Sequence, residues 1–395
     1  MPSSSSLDRH HPRHGRRVAA VGVALADCGR VDEATPYALH AQAARRALAD
    51  SGLDRSVIDG LASAGLGTLA PVEVAEYLGL RPRWTDSTSV GGATWEVMAA
   101  HAADAIAAGH ADAVLLVYGS TARADVRARR RTGNLSFGAR GPLQYEVPYG
   151  HSLIAKYAMA ARRHMHEYGT TLDQLAEVAV QARANAALNP EAMYRDPLTV
   201  DDVLGGPMIA DPFTKLHCCV RSDGGCAVLL AAEEYVPDTA KAPVWILGTG
   251  EYASHAAMSQ WEDFTRSPAA VSGELAFKRA GVTPADIELA EIYDAFTYMT
   301  LVTLEDLGFC AKGEGGPYFI DKDRRLPVNT DGGGLSACHP GMRGLFLLVE
   351  AVRQLRGEAP GLQVRRPDGS LPELAVASGT GGWFCSSGTV VLGRG

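Results

Sequence analysis

Residues 35–53 of the chain read TPYALHAQAARRALADSGL, and a similar stretch, SPAAVSGELAFKRAGV, follows at residues 267–282. In each stretch Ser or Thr stands directly before Pro, an alanine-rich helical pattern follows, and Gly comes at its end. Ser and Thr cap helix starts, Pro suits the first helical position, and Gly ends helices. In both copies the same interval separates this Gly from the next Ile. The two stretches therefore predict a unit that occurs twice in the chain.

Short apolar runs stand in front of both helical patterns, at residues 18–25 and 244–248. Continuous apolar strands that alternate with helices predict parallel sheets that are covered by helices on both faces. We therefore predict an α/β fold with two duplicated halves, residues 17–245 and 246–395, which follow a disordered tail at residues 1–16.

The first half carries a long insertion at about residues 119–214. It begins with an arginine-rich stretch at residues 123–131 and continues with two helical patterns, at residues 154–168 and 171–188. The second pattern opens with a capping box and stops at Asn-Pro. An insertion that follows the C-terminal end of a strand is well placed to cover a ligand crevice. A dimer contact or a surface elaboration is an equally good interpretation of this segment.

The bulk composition is that of a soluble globular protein, and it excludes some partners. The formal net charge is −8, whereas a nucleic-acid partner normally demands a basic face. No apolar run reaches the roughly 20 residues of a membrane-spanning helix. The seven cysteines include no CxxC pair, and Cys218, Cys219 and Cys226 lack the spacing of a zinc site. We expect no metal, and reduced thiols in a cytoplasmic protein.

Residues 291–297, EIYDAFT, form the first segment with candidate chemistry, at the end of a predicted strand. Open α/β sheets bind ligands at the C-terminal ends of parallel strands. Tyr293 is either a proton donor and acceptor or a core residue with a satisfied hydroxyl. Asp294 is either a site residue or the N-cap of the helix that follows.

The second segment, NTDGGGLSACHPG, occupies residues 329–341. Its glycines, Gly333 among them, let the backbone approach a ligand closely. His339 precedes a proline at a helix entrance, which restricts its conformation. The adjacent Cys338 and the glycine-rich loop favour a catalytic histidine over a structural one.

The third segment, ASGTGG at residues 377–382, is a weak signal by itself. Gly379, Thr380 and Gly381 form either a tight turn or a row of backbone N–H donors for a phosphate or an oxyanion.

Taken in chain order, these three segments resemble the thiolase superfamily, and within it the branch of the sterol carrier protein x thiolases and the lipid-transfer-protein aldolases. Residues 293–296, YDAF, are similar to the YDxF of the aldolases, and residues 338–341, CHPG, to the GHP-type loop of thiolases. The resemblance covers nearly the whole chain beyond the tail. It implies the thiolase fold, with two duplicated α/β halves, mixed and mainly parallel sheets in an αβαβα layering, and an inserted loop domain.

The chain departs from thiolases at the nucleophile. Thiolases place their acyl-accepting cysteine at the start of a buried helix, where the helix dipole stabilises a thiolate. Gly92 stands at that position, and Ala377 replaces the second thiolase cysteine. Thr94 and Ser89 lie in the same stretch, but no activating base is visible for either. We therefore expect no covalent acyl intermediate of the thiolase kind.

The lipid-transfer-protein aldolases also lack this cysteine, and the resemblance implies their chemistry. They cleave a β-hydroxyacyl-CoA by a retro-aldol reaction that uses two tyrosines. Tyr293 matches the first tyrosine, whereas the second falls in the loop where this chain has Cys338 and His339. The acid/base pair implied here is Tyr293 with His339, because a base must take the hydroxyl proton while donors stabilise the enolate.

The leading hypothesis is an enzyme that cleaves a carbon–carbon bond of an acyl-CoA, namely a retro-aldolase that acts on a bulky lipid or steroid side chain. The coenzyme A thioester is its expected substrate, and no cofactor is expected to bind to this chain. The alternatives are an acyltransferase with Cys338 as a displaced nucleophile and a non-catalytic lipid or acyl-CoA-binding protein. The resemblance further implies a homodimer that works with a small OB-fold, zinc-ribbon partner protein. The candidate catalytic residues are Tyr293, Asp294, Cys338 and His339, and the candidate substrate-binding residues are Gly92, Gly333, Gly379, Thr380 and Gly381.

Overall fold

The computed structural model describes residues 15–128, 141–150, 152–321, 323 and 326–395. The predicted tail lies outside the described residues except for its last two positions, and so does part of the arginine-rich stretch. Arg16 donates hydrogen bonds to a carboxylate oxygen of Asp112 at 2.6 Å and to the carbonyl of Ala111 at 2.8 Å. These bonds anchor the start of the described chain to the fold.

Strands form the frame of the molecule. The described residues contain eleven of them: β1 (Val18–Leu25), β2 (Gly60–Ala62), β3 (Trp84–Asp86), β4 (Ala113–Ser120), β5 (Met208–Ala210), β6 (Phe213–Thr214), β7 (Gly224–Ala232), β8 (Val244–Ala253), β9 (Leu289–Ile292), β10 (Leu374–Gly381) and β11 (Ser386–Gly393). Nine of these strands build one sheet in the order β3-β2-β4-β7-β1-β8-β11-β10-β9, and β5 pairs with β6.

The large sheet consists of two sets of strands with matching directions. In the first set β1, β2, β3 and β4 run one way and β7 runs against them. In the second set β8, β9 and β10 share a direction and β11 opposes them. Each set is therefore mixed and mainly parallel in strand direction, as expected. Pairing of Ala19 with Trp245 and of Ala20 with Val244 joins the sets into one continuous sheet, a connection that the sequence did not predict.

Helices cover and separate the two strand sets. They are α1 (Pro36–Ser51), α2 (Ala70–Leu78), α3 (Thr94–Ala107), α4 (Ala122–Arg127), α5 (Leu143–Glu146), α6 (Leu153–Tyr168), α7 (Leu172–Leu188), α8 (Val200–Leu204), α9 (Ala269–Ala280), α10 (Thr297–Asp306), α11 (Gly315–Ile320) and α12 (Gly344–Arg356). Helix α1 packs on the first set, α9 packs on the second, and α3 and α12 contact strands of both. The layers therefore follow the expected αβαβα order.

The helix boundaries show why the two repeated stretches fold alike. The Thr35 side chain caps α1 by accepting the Ala38 N–H at 3.1 Å. The second helix, α9, begins at Ala269, and the Ser267 hydroxyl accepts the N–H of that residue at 3.3 Å. Both helices end at a glycine in the left-handed conformation, with φ of 74° at Gly52 and 69° at Gly281. The division of the chain at about residue 245 stays a prediction.

The inserted segment packs against helices α10 and α11 and the glycine-rich loop of the second half. Its two predicted helices are confirmed as α6 and α7, and the predicted capping box of Thr171 is present. His164 in α6 lies 3.0 Å from the Glu305 carboxylate of α10, with both side chains fully buried. Asn185 in α7 donates to the carbonyls of Val328 and Asn329 at 3.1 and 3.0 Å. The insertion thereby supports the glycine-rich loop at residues 329–341. No helix in the described ranges is long and apolar enough to cross a membrane.

Glycines in the first strand of each set bring the outer helices unusually close. A Cβ at Gly22 of β1 would lie 2.2 Å from the Ala47 carbonyl oxygen of α1, and one at Gly250 of β8 would lie 2.0 Å from the Ser272 carbonyl oxygen of α9. Because the obstructing atoms are backbone atoms, a side chain at either position forces the helix away from the strand.

We expect Gly250→Ala to lower the free energy of unfolding by about 1–3 kcal/mol, the usual cost of overpacking. Urea denaturation of the folded protein measures this change. Gly206→Ala is the matched control, because a Cβ at Gly206 meets no atom nearer than 3.4 Å. Equal stability of the two variants would contradict the close packing of α9 on β8.

Candidate active site

The centre of the site is a contact between a phenol and an imidazole. Tyr293 follows the last residue of β9, and its backbone N–H donates to the Ser378 carbonyl of β10 at 2.9 Å. Its hydroxyl oxygen lies 3.1 Å from Nε2 of His339, and the two rings meet edge to face with centroids 5.5 Å apart. A neutral imidazole with its proton on Nδ1 accepts a hydrogen bond from the phenol at Nε2. The structure thus brings together two of the predicted catalytic residues.

Tyr293 also fills the space next to Gly92. A Cβ at Gly92 would lie 2.4 Å from Cζ of Tyr293 and 2.3 Å from the Thr380 carbonyl oxygen. Gly92 belongs to a short 3-10 turn that leads directly into α3. No side chain fits at Gly92 while Tyr293 keeps this position, so the glycine is a packing requirement of the tyrosine.

Burial and the start of α12 shift the pKa values of Tyr293 and His339. Burial raises the pKa of Tyr293 well above its ordinary value, and the backbone N–H of Arg343, at the start of α12, acts in the opposite direction. Burial, aided by the charge of the Arg343 guanidinium, lowers the pKa of His339 to about 4. At neutral pH the site therefore holds a protonated phenol against an uncharged imidazole.

Asp294 is not the N-cap of α10, which was one of its two predicted roles. Helix α10 has Phe296 at its N-cap position. The Asp294 carboxylate instead accepts the N–H groups of Gly334 at 2.7 Å and Leu335 at 3.1 Å. Burial raises the pKa of Asp294 to about 7, against the opposing effect of Arg343 and those two N–H groups. Asp294 therefore fixes the glycine-rich loop through its backbone N–H groups.

The glycine-rich loop forms a single turn of π-helix, Gly333–Ala337. Gly333 has a φ of 67°, and a Cβ there would lie 2.0 Å from a carboxylate oxygen of Asp294. The contact with Asp294 therefore requires a glycine at position 333. The predicted role of Gly333 in substrate binding stays a prediction. Turns of π-helix are frequent at functional sites.

Cys338 points away from the Tyr293–His339 pair. The backbone at Cys338 is extended, with φ −158° and ψ 132°, so the side chains of Cys338 and His339 project to opposite sides. The thiol lies 3.1 Å from the Ser222 hydroxyl. A hydrogen bond from the Cys28 thiol, and then one from Ser222, lower the pKa of Cys338. The structure does not place this thiol with the predicted acid/base pair.

Atoms of the protein itself occupy the space beside two glycines of the third segment. A Cβ at Gly379 would lie 2.0 Å from a carboxylate oxygen of Glu96, and one at Gly381 would lie 1.7 Å from the Val90 carbonyl oxygen. The packing of Glu96 and Val90 therefore requires glycine at both positions. The predicted role of Gly379 and Gly381 in substrate binding stays a prediction. The Thr380 hydroxyl is buried and has no hydrogen-bond partner among the described residues. Thr380 pairs with Ser387, whose hydroxyl contacts Ser272 of α9, so the Thr380 side chain lies on the α9 face of the sheet, opposite Gly379 and Gly381.

Several residues of the site carry no sequence motif. Ser222 accepts the His339 N–H at 2.9 Å, and the Tyr118 hydroxyl donates to the Pro340 carbonyl at 2.7 Å, so both fix the histidine loop. Nothing in the local sequence of either residue signals this role. Glu96 and Arg343 were also missed. Each is a lone charge at the start of a largely apolar helical stretch, which was the available signal.

Glu96 lies in a slot lined by glycines of three elements. A Cβ at Gly344, Gly379 or Gly388 would lie 2.5, 2.0 or 2.8 Å from atoms of the Glu96 side chain. The residue is 1% exposed, and within the described structure neither carboxyl oxygen has a hydrogen-bond partner. Burial raises the pKa of Glu96 to about 8. A protonated, uncharged carboxyl group is therefore buried beside the start of α12 at neutral pH.

The comparisons with known proteins agree with this geometry. Residues 250–394 match the family model described as Thiolase C-terminal domain-like. The 17-hydroxy-3-oxo-4-pregnene-20-carboxyl-CoA lyase of Mycobacterium tuberculosis is 33% identical over 382 residues, which cover 92% of this chain and 97% of the lyase. The chain belongs to the thiolase superfamily. An acetyl-CoA acetyltransferase of Methanothermobacter thermautotrophicus, another member, is 32% identical over 362 residues, which cover 88% of this chain and 93% of the relative.

Among solved structures, one described as Ltp2-ChsH2(DUF35) aldolase superposes with a TM-score of 0.83 at 30% identity, and the match covers 95% of this chain and 97% of that one. These matches confirm the expected branch, that of the sterol carrier protein thiolases and the side-chain-cleaving aldolases. The phenol of Tyr293 lies next to Gly92, and the equivalence of Gly92 with the nucleophile position of thiolases stays a prediction. No cluster of metal-binding side chains is present in the described residues.

Glu96→Gln should stabilise the fold increasingly as the pH rises. The unfolded carboxyl has a pKa of 4.5 and the buried one a pKa of about 8, so between these values the native state binds more protons than the unfolded state. Wild-type stability then falls with rising pH by up to about 1.4 kcal/mol per pH unit, and the variant lacks this slope. Thermal unfolding of both proteins at about pH 5 and about pH 7.5 measures the difference. An equal effect at both pH values would contradict the burial of a neutral carboxyl group.

Proposed function

We propose that this chain is a carbon–carbon lyase that cleaves a β-hydroxyacyl-CoA, with a lipid or steroid side chain as the acyl part, by retro-aldol chemistry. The observation that carries the proposal is the 3.1 Å contact between the Tyr293 hydroxyl and His339 Nε2, beside a glycine where a thiolase needs its thiolate. A phenol in contact with a neutral imidazole is an acid/base pair. Retro-aldol cleavage needs such a pair and needs no acyl-enzyme.

In the proposed reaction the β-hydroxyl gives its proton to the Tyr293 oxygen while Tyr293 passes its own proton to Nε2 of His339. The electron pair of the broken O–H bond becomes the carbonyl bond of a ketone or an aldehyde. The bond between Cα and Cβ breaks, and its electron pair moves into the thioester as an enolate. The proton then returns from His339 through Tyr293 to Cα. The products are the carbonyl compound and a shortened acyl-CoA, with no net change in protons.

Stabilisation of the enolate requires donors that are already in place, because charge develops on the thioester oxygen in the transition state. One feature of the structure supports this part of the proposal. The N-terminus of α12, a helix of 13 residues, supplies backbone N–H groups and the positive end of a helix dipole.

The relatives support the substrate class and suggest a partner. One relative is named as a lyase of a steroid carboxyl-CoA, and one structural neighbour is an aldolase described together with a DUF35 protein. We accordingly extend the proposal to a coenzyme A thioester as substrate, and to a cytoplasmic homodimer that works with a small partner protein.

Acyl transfer is the second candidate, with Cys338 as its nucleophile. The Cys28 and Ser222 side chains lower the pKa of Cys338 against the effect of burial, and a thiolate is the reactive form of cysteine. Against this candidate, the Cys338 thiol and the His339 ring lie on opposite sides of the extended backbone. The third candidate, non-catalytic acyl-CoA binding, leaves the acid/base pair without a role.

We expect Tyr293→Phe and His339→Gln each to reduce turnover at least about 100-fold, the usual contribution of general acid/base catalysis. Purified protein with its partner is incubated with a β-hydroxyacyl-CoA, and the shortened acyl-CoA is quantified by mass spectrometry. Tyr298→Phe is the matched control, because this buried tyrosine of α10 donates to the Phe264 carbonyl outside the pair. Acyl-CoA binding should survive both site substitutions. Full activity of either variant would overturn the proposed pair.

Cys338→Ser should retain most of the lyase activity, because the hydroxyl preserves the contact with Ser222 and takes no part in proton transfer. The acyltransferase candidate predicts instead that the wild-type protein carries an acyl adduct on Cys338 after incubation with acyl-CoA, and that the variant does not. Intact-protein mass spectrometry followed by peptide mapping distinguishes the two outcomes. An adduct on Cys338, with loss of activity in the variant, would replace the lyase proposal by acyl transfer.

A further inference from the structure

Arg343 is the one fully buried arginine beside the site in the described chain, with 0% exposure, and it stands at the N-cap position of α12. Burial of a guanidinium is costly unless carboxylates and hydrogen bonds compensate it. Its Nη2 donates to both carboxylate oxygens of Asp331, at 2.5 and 2.6 Å, and its Nη1 donates to the Cys338 carbonyl at 2.8 Å. The fork therefore binds both ends of the loop that carries His339.

Three side chains meet on the face of Gly334. A Cβ at this glycine would lie 2.9 Å from a carboxylate oxygen of Asp294, 3.0 Å from Cδ2 of His339 and 3.1 Å from Cδ of Arg343. The Arg343 Nε also lies 3.5 Å from the same Asp294 oxygen. The charged guanidinium is thus packed next to the imidazole ring, and its geometry is fixed by two carboxylates and one carbonyl.

We propose that Arg343 is a positioning residue of this site: its guanidinium fixes the histidine loop against Tyr293 and places a positive charge beside the imidazole. This inference rests on the proposed function for the catalytic meaning of the uncharged imidazole. The positioning itself is a property of the folded protein, and it can be measured without substrate.

The charge effect follows from the groups that face His339. They are Tyr293, whose hydroxyl contacts Nε2, and Asp294 and Arg343, which meet the imidazole on the face of Gly334. Asp331 acts through Arg343, because it binds the guanidinium. Arg343 is the cation of this set, and a like charge nearby disfavours the imidazolium. Its removal takes this repulsion away, whereas removal of the Asp331 carboxylate leaves the charge of the guanidinium without its ion-pair partner. The imidazole should therefore respond in opposite directions to removal of the cation and removal of an anion.

The test measures the His339 pKa by NMR on histidine-labelled protein in the absence of substrate, with His339→Gln to assign the resonance. Arg343→Met should raise this pKa from about 4 in the wild type by about one unit or more. Asp331→Asn keeps the shape of the side chain but removes its charge. This variant should have a lower His339 pKa than the wild type. A shift of the same sign in both variants would overturn the inference, because loosening of the loop alone predicts no reversal.

Arg356→Met is the matched control. Arg356 also lies on α12 with a buried side chain, but its guanidinium binds Asp50 at 2.9 Å and the carbonyls of Ala20 and Val21 at 3.2 and 3.0 Å. This variant loses a buried ion pair at the opposite end of the helix, so we expect lower stability and an unchanged His339 pKa. If Arg343→Met does not fold, Arg343→Lys takes its place. It keeps the charge and loses the fork, so the pKa should stay low while the paired contacts to Asp331 and Cys338 are lost.

Activity measurements separate this inference from the proposed function. In the retro-aldol reaction the acidic limb of the kcat/KM profile follows ionisation of His339, so Arg343→Met should move that limb to higher pH by the same shift that NMR reports. A moved resonance with no lyase activity in any variant retains the positioning role and rejects the proposed function. An unmoved resonance in an active Arg343→Met enzyme rejects the positioning role alone.

Discussion

The ring of Tyr293 next to Gly92 is the contact on which the site depends. It lies where two central helices begin, since Gly92 leads into α3 and the Arg343 N–H faces the phenol oxygen from the start of α12. A helix N-terminus favours negative charge. The thiolase scaffold uses this property for a thiolate, and here it acts on a phenol. The same close contact excludes any side chain at Gly92, so the fold accommodates the tyrosine or a nucleophilic cysteine, but not both.

Around this contact the chain buries an unusual number of polar groups, and each has a defined partner or stays neutral. Asp294 and Arg343 hold the loop of His339 from two sides, and Ser222 binds its backbone. Such networks are stabilising only when every member is satisfied, because an unpaired charge in a low-dielectric interior is costly. Glu96, without a partner among the described residues, meets this requirement by remaining protonated at neutral pH. These contacts hold Tyr293 and His339 together without a bound substrate, as the proposed acid/base catalysis at a fixed distance requires.

Sequence patterns predicted the fold well because they are local. Caps, prolines and terminal glycines located α1, α7 and α9 within a residue or two, and apolar runs located β1 and β8. The pairing of β1 with β8 was missed, since register between distant strands leaves no local pattern. Tyr293 and His339, which the structure brings together, stood in recognisable motifs. Arg343 and Glu96 did not, because their contacts arise from packing across the sheet. Gly379 and Gly381 also make room for Glu96 and Val90, and their predicted role in substrate binding stays a prediction.

The loss of the thiolate and the gain of the tyrosine are physically one change. A thiolase nucleophile must be exposed to the acyl carbonyl at the start of α3, whereas a tyrosine from β9 that reaches the same point covers it. In the proposed reaction Tyr293 supplies a proton at this position, where a thiolate would supply a lone pair, and the neighbouring histidine accepts a proton. The proposed reaction requires His339 to release the proton again, so that it reaches the enolate carbon. A low histidine pKa favours this release, because a strongly basic imidazole would retain the proton. The burial of His339 beside Arg343 is therefore part of the same adaptation that placed Tyr293 over Gly92.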